Sequence, residues 1–170
     1  MIKVLDESLL VKRSIEGDTR AFETLYRNNV GRVFALCYRL CGERDHAEDY
    51  VQETFIKAWQ NLPGFNGKSQ LSSWLYRIAS NVVIDRLRQK KRWQEESLDE
   101  ICGSELKMVE HNVDTLDIEK KLMTLSEKAR AILILYEYLG YKHQEISELT
   151  GIPVGTSKSL LNRAKTKLAE

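Results

Sequence analysis

The chain has 170 residues, 42% hydrophobic and 30% charged, with a formal net charge of only +1. That length allows one domain or two small ones, and nine glycines with two prolines leave little material for the turns of a many-stranded sheet. No run of about 18 apolar residues is present to cross a bilayer, MIKVLDESLLVKRSIEGD is too polar for a signal peptide, and three cysteines form no disulfide framework, so a cytoplasmic, reducing setting is expected.

A short helix is expected at about 6–16. Asp18 is a suitable N-cap for a long helix running to Cys41. Along it Phe22, Leu25, Tyr26, Val33, Cys37, Leu40 and Cys41 recur at three- and four-residue steps and predict a buried stripe, which Gly42 ends. Asp45 is placed to cap the next helix, with Val51, Phe55, Ala58, Trp59 and Leu62 on its apolar face and Pro63-Gly64 as its stop. Its opposite side carries Asp49, Gln52, Glu53, Ile56 and Gln60. Acids without matched lysines around an exposed isoleucine favour a protein-docking face over an ordinary wet surface.

A loop over 63–69 leads into a third long helix that extends to about residue 92. Its buried side is expected at Leu75, Ile78, Ala79 and Val82. Trp74, Arg77, Asn81, Asp85 and Arg88 follow at steps of three or four on another face. From Arg77 to Arg92 six basic residues stand against Asp85 alone. Rings, an amide and cations together suit unpaired nucleic acid: base stacking contributes roughly 1–3 kcal/mol per base, asparagine bonds a base edge, and arginine holds phosphates. Tyr76 fits this surface or the core equally well.

After Trp93 the periodicity fades. From Glu95 to Glu119 nine acids face Lys107 alone, before the two lysines that follow. Residues 94–113 therefore read as an acidic linker between two small helical domains, 1–93 and 114–170, in an all-α chain. Ser126 caps EKARAILILYEYL and Gly140 ends it. Two helices are expected at about 142–150 and 155–169. Between them Gly151, Ile152 and Pro153 make a sharp plugged turn, Ser147 is small at the crossing, and Leu160, Leu161, Ala164 and Leu168 give the last helix its buried side. Thr156, Lys158, Ser159, Asn162, Arg163 and Lys165 lie on or near the outer side. This is the pattern of a helix-turn-helix whose second helix enters the major groove. Ser157 is the departure, standing where such a helix ordinarily buries an apolar residue.

The chain as a whole resembles the extracytoplasmic-function (ECF) sigma factors of the sigma-70 family. AFETLYRNNVGRVFALCYRL, AEDYVQETFIKAW, LSSWLYRIASNVVIDRLR and LSEKARAILILYEYLGYKHQEISELTGIPVGTSKSLLNRAK carry the likeness in that order. The resemblance implies a non-enzymatic, cofactor-free specificity subunit of RNA polymerase with promoter DNA and an anti-sigma factor as partners and no membrane insertion. It implies core-polymerase contacts at Asp49, Gln52, Glu53 and Phe55. It implies −10 recognition and melting at Gly64, Asn66, Lys68, Ser69, Trp74, Tyr76, Arg77, Asn81 and Arg88. Contacts to the −35 element fall at Thr156, Lys158, Ser159, Asn162, Arg163 and Lys165. Phe55, like Tyr76, suits packing as well. Leu160 stands where the family commonly has arginine.

Two other readings compete. A plain helix-turn-helix regulator would bind duplex DNA through 155–169 and would need neither N-terminal surface. Cys37 and Cys41, one turn apart with His46 nearby, form at most a partial zinc set without a fourth ligand; as small residues on an apolar stripe they read as core. No phosphate-binding glycine loop or nucleophile motif is present.

Overall fold

The computed structural model describes residues 6–98 and 115–170. Its α-helices are α1 (Glu7–Ile15), α2 (Thr19–Cys41), α3 (Arg44–Asn61), α4 (Leu71–Gln89), α5 (Lys91–Glu95), α6 (Thr115–Met123), α7 (Glu127–Leu133), α8 (His143–Thr150) and α9 (Val154–Ala169). A 3-10 turn (Leu62–Gly64) follows α3 and a π turn (Ile134–Tyr138) follows α7. No strand occurs among the described residues.

The ends of the helices follow local chemistry. The Asp18 carboxylate accepts the Arg20 and Ala21 amides at the start of α2, and Ser126 Oγ accepts the Ala129 amide at the start of α7. Asp45 does not cap α3: the cap position is Glu43, with no side-chain bond, and Asp45 lies in the first turn, where its charge still favours the helix dipole. The basic helix is not continuous to residue 92. Lys90 adopts extended angles (φ −73°, ψ 137°), which separates α4 from the short α5 and lets Trp93 turn inward.

Helices α2, α3 and α4 pack around one core, with α1 against α2. Val82, Val83 and Ile84 are consecutive and all buried. A helix with one apolar stripe cannot bury three neighbours in a row, so α4 is enclosed on several sides: α2 and α3 cover part of it and α8 another part. Tyr26 and Trp59, expected in the core, are each 38% exposed and lie at its rim, edge-on against Phe55 and Phe22 at centroid distances of 4.8 Å. The second unit centres on α7 and α9, with Ile132, Leu135, Ile146, Leu160 and Ala164 buried.

The two units meet through polar groups. Arg130 on α7 is 5% exposed and donates to the carbonyls of Leu125 and Leu40, each at 3.3 Å. Arg39 reaches Glu119 at 3.3 Å. The Lys128 amide donates to the Glu96 carboxylate at 3.2 Å and its Nζ to the Glu96 carbonyl at 3.0 Å, over the Trp93 ring. Burial pushes the Glu96 carboxyl up, and the bonds from Lys128 and Ser126 offset part of that. The start of the acidic segment is thus docked on α7. Gly42 and Gly151 close α2 and α8 at φ 74° and 76°, and each lies under an arginine of the opposite unit: a Cβ would meet Arg130 Nη2 at 3.3 Å and Arg88 Nη2 at 3.0 Å, respectively.

Candidate polymerase and nucleic-acid interface

On α3, Asp49, Gln52 and Ile56 are solvent-exposed, and Ile56 at 58% is a large apolar side chain left in water. Glu53 is half-buried and already neutralised by Arg86 at 3.1 Å and Lys57 at 3.6 Å, so it is not an unmatched acid. Phe55 is buried, which gives it the packing role of its two readings. Trp59, on the same helix, and Tyr26 of α2 add exposed aromatic surface. Sequence reasoning missed both because their three- and four-residue steps continue the buried stripe; only packing separates the rim from the interior.

Gly64, Asn66, Lys68 and Ser69 are exposed in the loop before α4. Gly67 takes φ 73°, and Asn66 Oδ1 accepts the Lys68 amide at 2.9 Å, an Asx turn that fixes the loop tip. A cavity of about 460 Å³ separates this loop from α1, with Val11, Ile15, Phe65 and Leu71 in its wall. Trp74 is half-buried against Phe65, centroids 5.2 Å apart, so the loop and the first turn of α4 form one aromatic patch. Asn81 is exposed.

The remaining α4 residues face the second unit. The Arg77 guanidinium sits over the Tyr141 ring at 5.0 Å and 3.9 Å from Glu145. Arg88 Nη1 donates to the Leu149 carbonyl at 3.0 Å. The Tyr76 and Tyr138 rings are 6.3 Å apart, and burial, with Tyr138 beside it, pushes the Tyr76 hydroxyl up. Tyr76 is therefore neither core nor free surface, but lies at the junction of the two units. The predicted cluster is divided: Trp74 and the loop stand together, while the half-buried Tyr76 and the exposed Arg77 and Arg88 make contacts to the second unit.

The helix-turn-helix is formed by α8 and α9, with Ile152 buried in the turn and Pro153 at the cap of α9. Lys158, Ser159 and Asn162 are exposed and Thr156 is half-buried. Arg163 donates to the Leu98 carbonyl at 3.3 Å, and Lys165 pairs with Glu137 of the π turn. Leu160 is fully buried, so the position that the family commonly fills with arginine packs inward here. Ser157 is also fully buried and lies 2.9 Å from His143 Nδ1.

Burial, then the neighbouring Cys41, pushes the Cys37 thiol up to about 12, and burial raises Cys41 too. Neither is a ready thiolate ligand or nucleophile. Among the described residues no three His, Cys, Asp or Glu side chains gather where they could hold a metal ion, and no helix is long and apolar enough to cross a membrane. Cys102 and His111 lie outside the described residues, as does most of the predicted linker.

Comparison with known proteins agrees with this layout. The pattern described as sigma-70 region 2 matches residues 25–93, and that described as sigma-70 region 4 matches residues 115–168. The chain is 35% identical to the ECF RNA polymerase sigma factor SigW of Bacillus subtilis, over 93% of this chain and 92% of that protein. It is 33% identical to the ECF RNA polymerase sigma-E factor of Salmonella typhimurium, over 97% and 93%. Among solved structures, it is similar to the sigma factor RpoE of Bartonella quintana, crystallised with the anti-sigma factor NepR. That match has a TM-score of 0.55 at 27% identity and covers 86% of this chain and 93% of the other. CnrH, solved with the cytosolic domain of CnrY, shares the fold with a TM-score of 0.53, at 23% identity over 95% and 93% of the two chains.

Proposed function

The chain belongs to the ECF sigma factors of the sigma-70 family, and from that membership we propose which surface performs each step of promoter-specific initiation. The observation that carries the reading is the ordered presence of both sigma-70 regions, with 35% identity to an ECF sigma factor across 93% of the chain. Residues 1–93 act as the polymerase- and −10-binding domain, 94–113 as the linker and 114–170 as the −35-binding domain.

Core polymerase docks on the exposed face of α3, around Ile56 with Asp49 and Gln52. Burial of an isoleucine that stands in water is the favourable term there, and the flanking polar groups set register. Phe55 supports this face from below, and Glu53 does so while paired with Arg86. The −10 element meets the loop and α4. Opening a duplex exposes bases that an aromatic patch at Phe65–Trp74 can stack upon, and Asn66, Asn81, Lys68 and Ser69 offer bonds to base edges and phosphates. Gly64 gives the loop its close approach. Arg77 and Arg88 hold the backbone of the opened strand, with Tyr76 beside them. Thr156, Lys158, Ser159, Asn162, Arg163 and Lys165 on α9 face the −35 duplex.

Arg77 and Arg88 are exposed but engaged by Tyr141, Glu145 and the Leu149 carbonyl of the second unit, so strand binding by these side chains competes with those contacts. An anti-sigma factor is the expected negative regulator, supported by the Bartonella quintana relative that was crystallised with one. The bond-making chemistry belongs to the polymerase, and the setting is the cytoplasm. A duplex-binding regulator without a sigma role is disfavoured because it leaves the α3 face and the α4 surface without use.

The test is association with core RNA polymerase. The full chain should co-elute with core enzyme in gel filtration. Ile56→Glu should weaken that association at least about ten-fold, because it replaces an apolar contact with a charge to be desolvated. Equal binding by the variant would remove α3 from the docking role, and no binding by either would favour the plain regulator.

A further inference from the structure

Helix-turn-helix crossings ordinarily rest on an apolar contact between the two helices, and here the residue at that place is a serine. Its hydroxyl is not idle. Ser157 is fully buried, and its Oγ lies 2.9 Å from Nδ1 of His143, the first residue of α8. This is a hydrogen bond with either neutral ring tautomer, the imidazole donating in one and the serine in the other. The His143 ring is stacked on Tyr136 at 4.5 Å, with 21° between planes, so its orientation is set from the other side as well. Tyr136 belongs to the π turn, whose Glu137 pairs with Lys165 on α9. The π turn, the start of α8 and helix α9 are thereby joined at two points, one buried at Ser157 and one exposed at Lys165.

We infer that His143 is a positioning residue for the recognition helix: its bond to Ser157 fixes the rotation of α9 that aims Thr156, Lys158 and Asn162 at the duplex. An apolar contact sets a distance between helices but little else, whereas a hydrogen bond also fixes an angle. Ser157 lies between Thr156 and Lys158, so any turn of α9 about its axis moves both neighbours with it. This inference rests on the reading that α9 enters the −35 duplex.

Two substitutions of equal shape separate the hydroxyl from packing. Ser157→Thr keeps the hydroxyl, and Ser157→Val restores the apolar side chain in the same volume. The readout is the affinity of holoenzyme, reconstituted from core polymerase and full-length protein, for a promoter duplex recovered by selection with the wild type. Ser157→Thr should bind as the wild type does, and Ser157→Val about five-fold more weakly, the worth of one hydrogen bond. His143→Phe keeps the stacking on Tyr136 and removes the nitrogen; it should show the same loss. The double variant should be no weaker than either single one, because both remove one bond. Binding by Ser157→Val equal to or tighter than by Ser157→Thr overturns the inference, as does an additive double variant. Circular dichroism melts verify folding, and if the valine variant does not fold, His143→Phe decides: unchanged affinity there overturns the inference. Lys158→Ala and Asn162→Ala distinguish the two levels. If both leave affinity unchanged, the groove reading of α9 itself fails; if both weaken it while valine and threonine behave alike, only the positioning role is lost.

Discussion

Arg88, on the strand-facing helix α4, donates to the carbonyl of Leu149, near the end of α8, at 3.0 Å. The left-handed turn at Gly151 leaves the space that this arginine occupies, since a Cβ there would meet Arg88 Nη2 at 3.0 Å. A residue read as a DNA contact thus holds the two halves of the molecule together.

Gly151→Ala should therefore act twice. The φ of 76° disfavours any side chain by about 1–2 kcal/mol, and the added methyl crowds Arg88. Urea unfolding of the full chain should show a loss of at least that size. Gly155→Ala, inside α9 with nothing within 4 Å of the added carbon, should instead be neutral or stabilising by up to about 1 kcal/mol.

Arg130→Met tests the buried polar contact between the units. Arg130 Nε and Glu127 Oε2 are buried without hydrogen-bond partners, three positions apart on α7, and their opposite charges sustain each other. Methionine keeps much of the volume but removes the bonds to Leu40 and Leu125 and leaves Glu127 uncompensated. We expect a loss of about 3 kcal/mol in the urea transition, near the lower end for a broken buried pair, and a larger radius of gyration by small-angle X-ray scattering.

Much of this was legible beforehand, and what was not has a physical cause. The Asp18 and Ser126 caps, the glycine stops and the order of helices follow from local chemistry, and the structure has them where the sequence puts them. The fate of Glu53, Arg88 and Arg163 was hidden, because their partners Arg86, Leu149 and Leu98 are 33, 61 and 65 residues away. The burial of Val83 and Ile84 depends on how many elements surround α4, which no single-helix pattern reports. The π turn gave no sign either: in ILILYEYLG the one charged residue, Glu137, stands in an otherwise apolar and aromatic run, so one extra residue in a turn disrupts no visible period.

Trp74→Ala should leave binding to core polymerase unchanged and reduce opening. Its ring is half-exposed beside Phe65, so folding loses little, while a stacking platform worth roughly 1–3 kcal/mol is removed. Permanganate reactivity of promoter thymines should fall by about ten-fold; unchanged reactivity would place the stacking surface elsewhere.

Acid should weaken the C-terminal unit through His143. Burial, then the charge of Lys158, holds its imidazole below the usual 6.5. A base whose proton affinity is lowered by folding contributes stability that is present above its unfolded value and lost as pH falls through its folded one. Melting temperature should therefore drop between about pH 7.5 and 5.5 by more in the wild type than in His143→Phe. Glu96 has the opposite sense, its carboxyl being raised, but it is common to both proteins and cancels in the difference. Parallel curves for the two proteins would contradict this.

The central claim is that this chain gives RNA polymerase its choice of promoter. The most direct measurement is in vitro transcription by core enzyme plus the purified full chain across a library of genomic fragments, with start sites mapped by sequencing. Discrete start sites, absent with core enzyme alone and sharing one upstream pair of elements, are predicted. No start site above the background of core enzyme alone would contradict the account.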